Sequence, residues 1–270
     1  MRRLVLAIFF LFSFLTFASP ARAETCVPLP IFSETPSGES HVMAQRHCAA
    51  AAAAPKPAFL GKIVGGGIIY LRANDEAKYS SLNNVLHAIQ QLNGAIIYPG
   101  QIFSFNRQAK LLEKTIPYDL GPDVRNNMVK AGGVCMVSTL VATAAHDAGL
   151  PFINERGKPI KKPVPHSRYY KYYHQVNEYN GHPVPIVEAA VAIQKDDIEK
   201  PWRTVQDMQF INTTGQILVL NLEPSFTVDD LDLTQPFGLI QQDQTIRVEL
   251  RTLPVGMNGW FTRLGAQNTN

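Results

Sequence analysis

Gly132-Gly133-Val134-Cys135-Met136-Val137-Ser138-Thr139-Leu140-Val141-Ala142-Thr143-Ala144-Ala145-His146-Asp147-Ala148-Gly149 is the stretch on which the fold turns. From Val134 to Ala148 it has good helix formers, no internal Gly or Pro, and apolar residues on almost every face; Gly149 and Pro151 stop it. A helix that is apolar all round has to be buried all round. Val134–Ala148 is therefore predicted to be a buried central helix with Cys135 at its start. Upstream, Ile63–Arg72 reads as a strand interrupted by Gly65-Gly66-Gly67. Ser80 or Ser81 can cap a helix that places Leu82, Leu86, Ile89 and Leu92 or Asn93 on one face and ends at Gly94. Ala95–Tyr98 and Ile102–Phe105 read as short strands around the turn Pro99-Gly100. Downstream, Pro185–Ile193, Asp207–Asn212, Gln216–Leu222 and Thr245–Thr252 are β-like runs between turn-prone clusters. The expected class is α+β, the buried helix packing on a mostly antiparallel sheet. No internal repeat is visible.

Composition narrows the function. The chain has 270 residues, 46% of them hydrophobic and 17% charged, which fits one large globular domain, or one domain with an extension. Arg2 and Arg3, the apolar stretch Leu4–Phe17 and the small-x-small Ala21-Arg22-Ala23 read as a signal peptide over residues 1–23. Pro20 and the shortness of the stretch argue against an uncleaved anchor. Removing Arg2, Arg3 and Arg22 from the 25 basic residues leaves them level with the 22 acidic ones. A near-neutral chain lacks the Lys and Arg excess with which nucleic-acid binders collect phosphates, so that class is set aside. The expected compartment is the periplasm or cell-wall space, with no stable membrane anchor after cleavage. Of 3 cysteines one stays unpaired in a monomer. The parsimonious bridge joins Cys26 to Cys48 across an irregular Pro-, Ser- and Ala-rich arm, residues 24–58, and leaves Cys135 free.

The chemistry concentrates at the start of the predicted helix. A thiol in the first turn faces unpaired backbone N–H groups and the positive end of the dipole, which favour thiolate. Gly132 and Gly133 let substrate approach the backbone, and the N–H of Cys135 or a neighbour can serve an oxyanion. Taken by themselves the same residues favour a cysteine buried as packing in an apolar helix over a nucleophile. A nucleophilic thiol needs a base. His41 and His47 lie in the arm, His87 on the first helix, and His146 roughly 16 Å along the central helix from Cys135. His166, His174 and His182 remain, and His166 follows the stiff Pro163-Val164-Pro165. No tight ligand pair supports a metal site, and no cofactor is expected.

Several blocks occur in a diagnostic order. They are Pro99-Gly100-Gln101-Ile102-Phe103-Ser104-Phe105-Asn106, Gly132 to Thr139, Arg156, His166-Ser167, Glu188-Ala189-Ala190-Val191, and Asp207-Met208-Gln209-Phe210-Ile211-Asn212. In this order they resemble the VanW-like domain, a family associated with cell-wall metabolism whose members resemble cysteine-dependent L,D-transpeptidases. The resemblance covers roughly Ser80 to Leu222; the domain is drawn as residues 59–224, with 225–270 a β-rich extension. It implies Cys135 as nucleophile, His166 as base, and Glu188 or Asp207 orienting His166. Gly132, Gly133, Ser138, Arg156, Ser167 and Asp207 form the implied substrate-binding set, Arg156 pairing with a substrate carboxylate. The implied partner is a peptidoglycan stem peptide and the implied reaction an acyl transfer through a thioester. The alternatives are a non-catalytic binding module and a cell-wall cysteine peptidase or amidase. Three positions depart from the family pattern: Ala131 replaces a frequent third glycine, Met136 a Gln, and Glu188 an Asp. The segment Gly157–Pro165 is longer and more basic than the family norm.

Overall fold

The central helix lies close on a sheet because the strand beneath it carries glycines at the contact, Gly65 and Gly67. In the computed structural model, which describes residues 26–34, 40–48, 61–73, 81–113, 116, 118–122, 128–166, 184–194, 201–232 and 239–253, the elements follow in this order. First come β1 (Cys26–Glu34), β2 (Ser40–Cys48), β3 (Ile63–Leu71), α1 (Leu82–Leu92), β4 (Ile96–Ile97), β5 (Ile102–Ser104) and α2 (Phe105–Gln108). Then come β6 (Leu120–Pro122), β7 (Met128–Lys130), α3 (Cys135–Asp147), β8 (Phe152–Ile153), β9 (Pro159–Ile160) and β10 (Ala192–Gln194). The last are β11 (Arg203–Gln206), β12 (Gln209–Ile211), β13 (Leu218–Pro224), β14 (Leu231–Asp232), β15 (Leu239–Ile240) and β16 (Gln244–Thr252). The domain is mixed α and β, and all strand pairings among the described residues are antiparallel.

The main sheet has the order β3-β16-β13-β4. Leu220 opposes Leu250 and Leu222 opposes Val248, and all four are buried, so the period-2 pattern of both strands feeds one core. α3 packs against β3 and β16 and also meets α1. Gly65 and Gly67 do not interrupt β3, as the sequence reading held. They face α3, where a Cβ on Gly65 would overlap the Ala144 carbonyl, and Gly66 N–H donates to Asp147 Oδ2 at 3.0 Å. Glycine is chosen here for close backbone approach. Met136 to Ala145 are all buried, as an all-round apolar helix requires.

α1 begins at the expected cap: Ser81 Oγ accepts from Asn84 N–H, and Gly94 takes φ +82 after its end. Its buried face runs Leu82, Val85, Ala88, Ile89 and Leu92, while Leu86 is only partly covered. A second sheet, β5-β12-β8-β9, places Phe103 of β5 opposite Phe210 of β12 with stacked rings 4.7 Å apart. Two further expectations need correction. The N-terminal arm is a hairpin, β1 with β2, whose register sets Cys26 opposite Cys48. Pro185–Ile193 is not a sheet strand: only Ala192–Gln194 pairs, with β11, and the residues before it turn their N–H groups to α3 side chains. No helix among the described residues is long and apolar enough to cross a membrane. The proposed signal segment lies outside the described residues.

Candidate functional site

The start of α3 is built by close backbone packing. Asn84, fully buried on α1, accepts from Asp119 N–H and donates to the carbonyls of Asp119 and Gly132, each at 2.8–3.0 Å. That clamp sets Gly132 against Gly121, where a Cβ on Gly132 would overlap the Gly121 backbone. Gly133 takes φ +98 and Ala131 φ +59, so the position where the family often has a third glycine is left-handed here too. Gly132 thus serves backbone packing, and Met136 N–H, one of the donors near the thiol, is spent on Gly133 O.

Cys135 belongs to a seam that sequence reading did not foresee. Cys135, Thr139 and Thr143 are spaced four apart and share one helix face. Across from them Val191 N–H donates to Cys135 Sγ at 3.5 Å, Ala189 N–H to Thr139 Oγ1 at 3.2 Å, and Val187 N–H to Thr143 Oγ1 at 3.1 Å. Four helical residues rise about 6.0 Å and two extended residues about 6.7 Å, so the two rows stay in step. The extended segment finds on α3 the acceptors that a neighbouring strand would otherwise supply. The Cys135 thiol also donates to Val191 O at 3.3 Å. Burial pushes this thiol up from its usual value to about 11, against the lowering effect of its hydrogen bonds with the backbone of Val191 and of Cys135 itself. The shift therefore runs opposite to the expected thiolate-favouring one, Cys135 being half-buried with its sulfur bonded to the Val191 backbone.

The other predicted site residues fall in different places. Ser138 is fully buried, and its Oγ has no hydrogen-bond partner among the described residues. Glu188 is half-buried and alternates with the inward Val187 and Ala189. Asp207 is committed to structure: its Oδ1 accepts from Asn106 N–H at 3.0 Å, and its Oδ2 from Ser104 Oγ at 2.6 Å and Gln209 Nε2 at 2.9 Å. Asn106 Nδ2 in turn donates to Gln206 O. These bonds lock the Phe-Ser-Phe-Asn block to the Asp-Met-Gln-Phe block. Asn212 fastens the other end through Gly100 N–H, Gln101 O and Ile97 O. His166 is half-buried at the end of a segment tied alongside the seam, Ala190 N–H donating to Val164 O at 2.8 Å. Ser167, His174 and His182 lie outside the described residues.

Arg156 and Asp207 meet in a different space. A cleft of about 640 Å³ is lined by the β8–β9 turn, by Lys162 to Pro165, and by Val205 to Asp207 with Gln209. Cys135, His166 and Glu188 are not among its lining residues. Among the described residues no group of three or more His, Cys, Asp or Glu is placed to hold a metal ion.

Fold and site define an antiparallel α and β domain whose cysteine-bearing helix is covered by an extended segment beside an open cleft. The chain belongs to the family described as VanW like protein, which matches residues 80–232. β3 and β16, two strands of the main sheet, lie outside that match. Over 88 residues the chain is 34% identical to the Vancomycin B-type resistance protein VanW of Enterococcus faecalis (strain ATCC 700802 / V583). That alignment covers 31% of this chain and 32% of the relative, so the chain matches about a third of the relative's length. No solved structure gives a significant match.

Proposed function

We propose that this chain is an exported, cell-wall-related protein of the periplasm or cell-wall space that grips peptidoglycan stem peptides without covalent chemistry. The cell-wall reading draws on the family match and on the relative's name as a vancomycin resistance protein. The non-covalent reading is carried by one observation: the Cys135 sulfur is bonded in both directions to the Val191 backbone, and desolvation there pushes the thiol up, away from thiolate. A nucleophilic thiol needs the opposite environment. Export is supported by the register that sets Cys26 opposite Cys48, since opposed Cα atoms in an antiparallel pair lie within disulfide reach. A bridge there suits an oxidising compartment.

The test is intact mass after incubation of the full mature protein with tetrapeptide-stem muropeptides. The expected result is binding with the mass of the free protein unchanged. A thioester adduct on Cys135 would instead establish the second reading, acyl transfer. In that reaction His166 takes the thiol proton and the sulfur bonds to the carbonyl carbon of the L-centre. The peptide C–N bond breaks as His166 returns the proton to the departing D-amino acid. An amine of a second stem then displaces the sulfur from the thioester, its proton going back to the thiolate through His166. The observation favouring it is the Ala190–Val164 bond, which ties the segment leading to His166 beside the extended segment that covers Cys135. With water as acceptor the same steps describe a peptidase or amidase.

A further inference from the structure

The cleft beside β8 and β9 is built to present positive charge next to small apolar surface. Asn154 organises its rim: Asn154 Oδ1 accepts from both Arg156 N–H and Lys158 N–H at 3.0 Å, and Asn154 N–H closes on Lys158 O at 2.9 Å. The backbone that carries Arg156 and Lys158 is thereby fixed. Lys162 adds a third cation from the next segment. None of the three forms an ion pair among the described residues. The acids of the lining are Glu155 and Asp207, and Asp207 already accepts from three donors of its own scaffold, so its charge is largely answered from within. Between the charges, Val164 at 47% and Val205 at 42% exposure bring apolar surface into the same space, with Pro163 and Pro165 stiffening the wall.

We infer that this cleft is a binding site for short peptides that end in a free carboxylate and carry small aliphatic side chains. Arg156 takes the carboxylate through its two-pronged guanidinium, Lys158 and Lys162 supply the surrounding positive field, and Val164 and Val205 cover methyl-sized side chains. The Cys135 seam takes no part in this recognition. The inference rests on the cell-wall reading for the source of the peptide, a wall stem, while its chemistry would serve a free peptide equally.

The experiment is calorimetric titration of the full mature protein with a synthetic stem tetrapeptide as free acid, with the same peptide as C-terminal amide, and with a linear Ala-Ala free acid. Isolated sacculi are tested in parallel by co-sedimentation. Amidation should weaken binding about ten-fold or more, the usual worth of a charge-assisted contact. Arg156→Gln with Lys158→Gln should cost at least as much and remove the difference between acid and amide, with the melting temperature unchanged because both side chains are exposed. Val205→Asp, a second route to the same site, should weaken the acid further. Equal binding of acid and amide, or wild-type affinity in the double variant, overturns the assignment of the cleft. If sacculi still bind in that case, the cell-wall reading stands alone. Carboxylate-dependent binding of Ala-Ala with neither stem peptide nor sacculi bound would keep the cleft chemistry and overturn the cell-wall reading. No binding of any probe overturns both.

Discussion

Two regions separated by a single extended segment treat their polar groups in opposite ways. On the α3 side, Cys135, Thr139 and Thr143 are turned inward and each accepts one N–H of the 187–191 segment. On the cleft side, Arg156, Lys158 and Lys162 are exposed and keep their charges toward solvent. Groups satisfied inside the fold hold it together, and groups left facing a concave surface are available to a ligand. The family blocks divide along the same line. The Phe-Ser-Phe-Asn and Asp-Met-Gln-Phe blocks bond to each other and the Gly-Gly-Val-Cys block bonds to Asn84 and Val191, whereas Arg156 bonds through its backbone and leaves its side chain exposed.

The sharpest way to break this contrast is at Gly132. Gly132→Ala should destabilise the protein by about 3 kcal/mol or more, because the new Cβ meets the Gly121 backbone, which cannot give way as a flexible side chain would. Chemical denaturation of the folded variant checks this, and a loss below about 1 kcal/mol would mean that the two loops separate freely.

Next come the seam acceptors. Thr139→Val strands the Ala189 N–H in the core and should cost about 1–3 kcal/mol. Cys135→Val should behave alike, while Cys135→Ser, which keeps an acceptor and a donor, should stay within about 1 kcal/mol of wild type. Equal losses for Ser and Val would show that the sulfur acts by volume and not by hydrogen bonding. The smallest effect is expected at Ala131, whose φ of +59 is left-handed. Ala131→Gly should raise stability by about 0.5–1 kcal/mol, the relief of backbone strain exceeding the added entropy of the unfolded chain. A thermal melt of the pair of proteins measures it.

Local signals made much of the fold legible. The breakers Gly94, Gly149 and Pro151, the cap at Ser81 and the β-like run Gln216–Leu222 act within a few residues, so they are legible in the sequence. The seam joins residues some fifty positions apart, and no local window contains it. A Cys-x-x-x-Thr-x-x-x-Thr face paired with the alternating Val187-Glu188-Ala189-Ala190-Val191 was the signal that could have revealed it. The same distance explains the raised thiol: the helix start alone argues for thiolate, and the extended segment that covers the sulfur arrives from elsewhere in the chain. Asp207 was read as a site carboxylate because its donors, Ser104 and Asn106, lie about a hundred residues upstream. Arg156 was legible as a cation, but Val205 and the bend that makes a cleft of them were not.

The account stands or falls on the state of the Cys135 thiol. A thiol pushed up to about 11 in the folded protein stabilises the fold fully below its usual value near 9.0 and loses that contribution as the pH rises from there through about 11. The direct measurement is the rate of iodoacetamide alkylation of Cys135 in the native protein as a function of pH, with Cys26 and Cys48 quantified separately by peptide mapping. The account predicts slow reaction at pH 7 that climbs toward a midpoint near 11. Rapid alkylation at pH 7, with a midpoint below the usual value near 9.0, would contradict it and make Cys135 a nucleophile after all.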